Sequence, residues 1–270
     1  MSTLLSDYLS DCQNLLHDAT NKYWTTAELI RYCNKARSMT AAETGCTRQL
    51  ATAVKVYPQL SWVKLTAFNL NDRVALNPYN GFYYYCSIAG TSGANQPAWP
   101  TTNGGTVTDG GVTWTAIQGY VYQYPLTGIV TGRTALGCLD VYMWYSGTQR
   151  LPLNYLPYSQ FSRQGSVVYN VPGMPSMWSQ NNQILYIAQS PSIAYIMDLD
   201  IILDPAPLVN LTDPDLEVLS PYNECVQFYM AYLAKIKDQR WDDANAFMNG
   251  YFNMRGRTLA NGIQRRLKGY

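Results

Sequence analysis

Few side chains in this sequence have the type and spacing that catalysis requires. The single histidine, His17, lies between two predicted helices, so a Ser–His–Asp or Cys–His arrangement would have to recruit it from a loop. Asp198 and Asp200 alternate along a predicted strand and Asp204 follows closely, and paired carboxylates can serve acid–base or metal chemistry. Because no third ligand or base is in register with them, we interpret these residues as the solvated face of the strand.

Other catalytic and cofactor-binding signatures are missing from the sequence. It has no P-loop, no glycine fingerprint for a dinucleotide and no HExxH motif. Its 6 cysteines are scattered without a C-x-x-C pair or a histidine partner, which favours small buried apolar groups over zinc ligands. We therefore predict that the protein is not an enzyme and has no catalytic residue, no metal site and no cofactor.

A neutral segment rich in Gly, Thr, Tyr and Trp offers a different chemistry. No charged residue lies between Val74 and Thr108, and the pairs Asn80–Gly81, Ser92–Gly93 and Asp109–Gly110 are typical of tight turns. We interpret residues 73–118 as a small inserted β module that interrupts a larger β region.

The aromatic side chains of this insert form a candidate surface for a ligand or partner. Its members are Tyr83, Tyr85, Trp99 and Trp114. The run AGTSG…PWP…TVTDGGVTW is similar to small aromatic carbohydrate-binding modules, in which rings stack on sugars while amides and hydroxyls bind the sugar hydroxyls. We prefer the alternative that so small a module needs its tryptophans as its own core, because small domains bury little surface.

The C-terminal residues 255–270 carry positive charge that no acid compensates. Their basic side chains are Arg255, Arg257, Arg265, Arg266 and Lys268. The other 14 basic residues of the chain face 18 acidic ones, and such asymmetry indicates a segment that binds a partner. The alternatives are a frayed chain end or a phosphate-binding tail, and Tyr270 is the only ring available for stacking on bases.

Composition favours a protein that buries much of its surface against neighbours. Charged residues make up only 14% of the 270 residues, while 23 tyrosines supply contact area with a polar tip. No window of consecutive apolar residues is long enough to span a membrane. Acids occupy the first residues where a signal peptide needs positive charge, so we expect cytoplasmic synthesis and no membrane association.

Both ends of the chain have helical periodicity. An apolar stripe begins at Leu4, and a second helix begins at Thr25, which can form a capping box with Glu28 and end at Gly45. Near the C-terminus, Asp213–Pro214 reads as the start of a third helix, and a fourth helix contains Trp241. We expect these helices to form two helical hairpins that pack together.

The middle of the chain indicates β structure. Strands are predicted at Trp62–Ala67, Leu139–Trp144, Ile184–Ala188 and Tyr195–Leu203, with Pro and Gly clustered between them. The predicted fold class is therefore α+β, with a helical bundle built from N- and C-terminal helical hairpins, a central antiparallel β domain and a small Gly/Trp/Tyr-rich β insertion.

The predicted domain organisation follows the same boundaries. It consists of an N-terminal helical hairpin (1–48), a central β domain (49–72 and 119–212), the inserted module (73–118), C-terminal helices (213–254) and a basic C-terminal arm (255–270).

The helical segments resemble the head–tail adaptor (connector) proteins of short-tailed bacteriophages. The N-terminal part of the resemblance is W-T-x-A-E-L-I-R-Y-x-N at Trp24–Asn34, and the C-terminal part is PYNECVQFYMAYLAKIKDQRWDDANAFMNGYF at Pro221–Phe252. Residues from about 73 to 118 lie outside the resemblance and depart from the simplest adaptors.

The resemblance implies a structural protein of the virion neck, at the head–tail junction. Its copies are expected to form a homo-oligomeric, dodecameric ring under the portal protein, extend the DNA channel and provide the surface on which tail and nozzle proteins assemble. Channel DNA would pass through without sequence-specific binding. The five basic residues of the arm become the implied portal contacts.

Two other functions remain open at this point. The first is a carbohydrate-binding tail or host-recognition protein that uses residues 73–118. The second is a virion enzyme that uses the aspartates near 198–204.

Overall fold

The computed structural model describes residues 3–20, 22–119, 122–163 and 172–267. Of these described residues, about 34% are in strands and about 30% are in helices, with five helices and several sheets. The predicted fold class is therefore wrong: the protein is mostly β-sheet with few helices, and not a helical bundle built from hairpins. Many strands have only two to four residues, which is too short for alternation to show in the sequence, whereas the long helices give strong periodicity.

The helices lie mainly near the two ends of the chain. They are α1 (Leu5–Leu16), α2 (Thr26–Thr44), α3 (Tyr158–Arg163), α4 (Val226–Lys237) and α5 (Trp241–Leu267), with a 3₁₀ turn at Tyr222–Cys225 before α4.

The strands fill the middle of the chain. They are β1 (Thr3–Leu4), β2 (Arg48–Val56), β3 (Gln59–Leu60), β4 (Ala67–Phe68), β5 (Arg73–Ala75), β6 (Phe82–Ile88), β7 (Gly90–Thr91), β8 (Thr106–Asp109), β9 (Val112–Gln118), β10 (Gln123–Pro125), β11 (Ala135–Ser146), β12 (Gln149–Pro152), β13 (Asn154–Tyr155), β14 (Pro172–Gly173), β15 (Met177–Asn181), β16 (Ile184–Ala188), β17 (Ser190–Pro191), β18 (Tyr195–Leu203) and β19 (Pro214–Asp215).

The chain divides into two compact units. Residues 1–49 and 202–270 form one, which we call the terminal unit, and residues 50–201 form the other, the central unit.

The terminal unit has one apolar core, to which α1, α2, α4 and α5 all contribute. The start of α2 confirms the predicted capping box, since Thr25 Oγ1 accepts from the Glu28 amide and Glu28 Oε2 accepts from the Thr25 amide. Gly45 ends α2 with φ 65°, as the sequence predicts. Both signals are local and do not depend on the rest of the fold.

The predicted helix start at Asp213 is wrong, because Pro214–Asp215 forms strand β19, which pairs with β1. Asp215 is 1% exposed, and its carboxylate accepts both Nε and Nη2 of Arg37 at 2.8 Å. Burial acts to raise the pKa of Asp215, but Arg37 and the amides of Val218 and Glu217 hold that pKa below its ordinary value. This distant partner, and not a helical backbone, fixes the segment.

The central unit contains most of the sheets. Two four-stranded sheets have the orders β10-β16-β15-β13 and β12-β11-β18-β2, and a five-stranded sheet has the order β3-β5-β6-β9-β8. Among the predicted strands, Ile184–Ala188 and Tyr195–Leu203 are confirmed, and Leu139–Trp144 lies within β11. The strand predicted at Trp62–Ala67 is wrong at all but its last residue, since Leu65 adopts φ 52° in a turn.

The inserted module begins earlier than predicted. Strands β3 and β4 precede residue 73, yet β3 pairs with β5 and β4 pairs with β7. Phe68, which precedes the predicted boundary, packs in the same core as Trp114. The structure therefore assigns residues 59–118 to the module.

Candidate functional site

Asp109 lies at the centre of the inserted module. Its carboxylate is 3% exposed, and Oδ2 accepts the indole Nε1 of Trp62 at 2.7 Å and of Trp114 at 3.0 Å. Oδ1 accepts the amide of Gly93 at 2.8 Å. Because a buried carboxylate is costly unless it is hydrogen-bonded, this arrangement fixes two tryptophans and one turn relative to each other.

The glycines of the AGTSG and TDGG runs allow two turns to lie in contact. A Cβ atom on Gly90 would lie 2.3 Å from the carbonyl oxygen of Gly111, and Gly110 has φ 63°. The buried hydroxyl of Ser92 donates to the carbonyl of Val63 at 2.7 Å. The module's own packing thus accounts for the residues that carry its likeness to carbohydrate-binding modules.

The predicted ligand surface of the insert is largely internal. Trp114 is fully buried, and Trp99 is half-buried with its ring centroid 4.3 Å from that of Tyr84 and 5.8 Å from that of Trp114. Trp114 therefore offers no ring face to a ligand in this structure.

The two tyrosines of the predicted surface lie on β6, opposite β5. The guanidinium of Arg73 lies over three rings, 4.7 Å from the centroid of Tyr124, 5.2 Å from Tyr83 and 5.5 Å from Tyr57. Burial raises the pKa of Tyr124 to about 12, although Arg73 opposes the shift. Tyr83 therefore holds Arg73 by cation–π contact, and Tyr85 is half-buried in register with Arg73.

Asp198 is buried, so the predicted solvated strand face is wrong at this position. It is 3% exposed, and its Oδ2 accepts Nε1 of Trp144 at 3.0 Å and Nε of Arg150 at 3.2 Å. Arg150 also stacks on Tyr142, with its guanidinium carbon 3.9 Å from the ring centroid. The Asp198 carboxylate on β18 therefore binds side chains from β11 and β12, two strands of the same sheet.

The described residues place the other two aspartates, Asp200 and Asp204, in half-buried positions. In that part of the chain, no cluster of three or more His, Cys, Asp or Glu side chains could hold a metal ion. His17 is exposed and ends α1 with φ 55°.

The predicted basic arm is continuous with helix α5, which runs through Leu267. The half-buried Arg255 donates to Oε2 of Glu43, and the buried Tyr251 hydroxyl donates to the same oxygen at 2.9 Å. Arg255 therefore helps to hold α5 in the terminal unit. Arg257 is exposed.

The packed face of α5 follows a seven-residue spacing. Ala244, Tyr251 and Thr258 are each at most 3% exposed, and residues seven apart lie on the same side of a helix. The next position at this spacing is Arg265, which is followed by Arg266, and both belong to the helical part of the chain. Lys268 lies outside the described residues. The basic residues of α5 therefore lie in the same part of the helix as Thr258 and the positions that follow it.

Sequence reasoning missed the buried charges of the molecule. Arg37 is 1% exposed, although charged residues are rarely buried without a partner. One signal could have found it: Arg37 lies within the apolar stripe of α2, between the buried Cys33 and Ala41. The position of its partner Asp215 had no such signal, because it lies far away in the sequence.

Comparison with protein families and with curated proteins gives no match for this chain. None of the helices in the described ranges combines the length and hydropathy that a membrane crossing requires. The chemistry of the residues themselves is therefore the basis for assigning a function.

Proposed function

We propose that the protein is a structural component of a bacteriophage virion, a head–tail adaptor. Its copies form a dodecameric ring beneath the portal, extend the DNA channel and provide the attachment surface for tail proteins. The observation that carries this proposal is helix α5, which packs in the terminal unit through Tyr251 and continues through four arginines in residues 255–267.

The length of α5 suits a docking element. A helix of 27 residues spans about 40 Å, and its last described buried side chain is that of Thr258. Basic residues near a helix C-terminus are favourable to the helix dipole. They also favour an acidic protein groove as the partner, because charge-assisted hydrogen bonds to carboxylates are strong.

We omit Arg255 from the proposed portal contacts. Arg255 is engaged by Glu43 within its own chain, so we assign it to holding α5. The proposed portal contacts are then Arg257, Arg265, Arg266 and Lys268.

A second surface suits contacts between copies. The segment before α4 exposes Val209, Leu211, Leu216 and Leu219, each by 46% or more. Its backbone is held by Asp213, whose Oδ2 accepts the amides of Val209 at 2.8 Å and Asn210 at 2.7 Å. A fixed loop that exposes several large aliphatic side chains is typical of an interaction surface, and ring formation requires such patches on every subunit.

A truncation tests the role of the basic helix end. We expect a chain that stops after Ala260 to fold like the full chain, because Glu43, Tyr251, Arg255 and Thr258 are all retained. We expect it to fail to join the portal ring of the same phage. Circular dichroism and thermal unfolding measure the fold, and sedimentation with purified portal rings measures assembly.

Charge-reversal variants of the full chain distinguish the effect of positive charge on portal binding from the effect of helix length. Replacing both Arg265 and Arg266 with Glu should weaken portal binding, and raised salt should weaken binding of the unaltered chain. Arg240→Glu is the matched control, since Arg240 is 62% exposed at the other end of α5 and pairs with Asp243. A truncated chain that assembles normally on the portal would contradict the proposal.

A further inference from the structure

A cleft in the central unit has the chemistry of a sugar-binding site. It has a volume of about 400 Å³, within the range of small-molecule sites, and it lies between β11, β13 and β15. It is separate from the inserted module, and it has no part in the adaptor function proposed above.

Tyr155 provides an accessible aromatic ring at this cleft. Its side chain is 56% exposed, while the adjoining Trp178 is 1% exposed with its ring centroid 4.9 Å away. Because the buried tryptophan supports one side of the tyrosine, the ring is held in place and its remaining surface is open to solvent. A ring of this kind can pack on the apolar C–H face of a sugar, as aromatic side chains do on other partly apolar groups.

Amide side chains lie beside the aromatic ring. Gln180 is fixed at both ends, since its Oε1 accepts the Cys138 amide at 2.7 Å and its Nε2 donates to the Asn182 carbonyl at 2.7 Å. Asn181 and Asn182 also line the cleft. Each of their amides has a donor and an acceptor group, which is the combination that sugar hydroxyls require.

The cleft is electrically neutral. No Asp, Glu, Lys, Arg or His is among its lining residues in the described part of the chain. Burial raises the pKa of the Cys138 thiol to about 12, with smaller contributions from Asp200 and Asp140, so this group is uncharged at neutral pH. The lining therefore disfavours phosphates and sialylated sugars, which need a positive countercharge on burial.

We infer that this cleft binds a neutral oligosaccharide, with Tyr155 as the stacking platform and Asn181 and Asn182 as the hydroxyl-binding groups. The protein would then contact an uncharged glycan through its central unit.

Titration with neutral disaccharides tests the inference. The probes are lactose, maltose and N,N′-diacetylchitobiose, and binding is followed by saturation-transfer NMR and calorimetry on the full chain. We expect millimolar binding of at least one probe, typical of a small open site, and at least about a tenfold loss of affinity in Tyr155→Ala.

Matched variants separate the site from general effects on folding. Tyr145→Ala is the control, because Tyr145 is also 56% exposed but lines a different cleft; it should bind like the unaltered chain. Asn182→Gly removes one amide while tolerating the turn, in which residue 182 has φ 54°, and should also weaken binding. The inference is overturned if no probe binds at about 10 mM, or if a folded Tyr155→Ala variant keeps full affinity.

Discussion

At the scale of single residues, the terminal unit depends on the pairing of Arg37 with Asp215. The carboxylate accepts two guanidinium N–H groups, the Tyr8 hydroxyl at 3.0 Å and two backbone amides. Burial raises the pKa of Tyr8, and the neighbouring Asp215 charge raises it further, so the phenol remains a donor. Removing one partner from such a pair costs far more than the pair contributes, because a buried charge is left alone.

Replacing Asp215 with Asn should therefore destabilise the protein by about 3–5 kcal/mol near neutral pH. The pKa of Asp215 is lower in the folded than in the unfolded chain, so its contribution is present above the unfolded pKa of about 3.9 and is lost as pH falls through the lower folded pKa. The difference between variant and unaltered chain should shrink below about pH 4. Urea denaturation at several pH values measures it.

Asp213→Asn is the control for this experiment. Asp213 lies two residues away and caps the amides of Val209 and Asn210, but it holds no buried cation, so we expect a much smaller loss of stability than for Asp215→Asn. Equal losses in the two variants, or a loss in Asp215→Asn that does not change with pH, would show that the ion pair has no special role.

At the scale of elements, prediction succeeded where the partners are close in the sequence. The start of α2 was predicted because Thr25 and Glu28 bond within one turn. The segment Asp213–Glu217 has equally good helix signals. It nevertheless contains strand β19, in which Asp215 binds Arg37, a residue 178 positions away in the sequence. Asp198 shows the same difference between local and distant partners. Its strand was predicted correctly from local alternation, but the burial of its side chain against Arg150 was not predicted.

Gly90, the first residue of β7, gives a steric prediction. Gly90→Ala should destabilise the inserted module by about 1–3 kcal/mol, because its Cβ would lie 2.3 Å from a backbone carbonyl that cannot rotate away. Thermal unfolding followed by tryptophan fluorescence reports on the module, since Trp62, Trp99 and Trp114 lie there.

The matched control is Gly147→Ala. A Cβ at this position meets no atom within 4 Å, so the variant should be neutral or slightly more stable. If Gly90→Ala melts at the same temperature as Gly147→Ala, the close approach of the two turns does not constrain the module.

At the scale of the whole molecule, two deletions that begin at different residues test where the inserted module starts. Leu60, Trp62 and Phe68 precede the predicted boundary at residue 73, but they pack with Trp114 in the module's core. A deletion of 73–118 would leave these side chains without their partners, whereas a deletion of 59–118 removes the cluster entirely.

We expect the 73–118 deletion, closed by a short Gly/Ser linker, to aggregate or to bind the dye ANS, because it exposes a contiguous apolar patch. The 59–118 deletion with the same linker should remain soluble and compact by size-exclusion chromatography. Both variants lack Arg73, so loss of its contacts with Tyr57 and Tyr124 is common to the two. Equal behaviour of the deletions would contradict the boundary at residue 59.

Local features of this protein could be predicted from neighbouring residues alone. The capping box of α2, the end of α2 at Gly45, the strands Ile184–Ala188 and Tyr195–Leu203 and the turn at Asp109–Gly110 each depend on residues within a few positions of one another. The basic residues near the C-terminus were also recognised from the sequence, and the proposal that this segment binds a partner is based on them. Other features became visible only in the folded chain: the predominance of β-sheet, the burial of Asp109, Asp198 and Asp215, the hydrogen bond of Arg255 to Glu43 and the cleft at Tyr155. The physical reason is that burial and ion pairing depend on residues brought together from distant parts of the chain, which a periodic pattern does not encode.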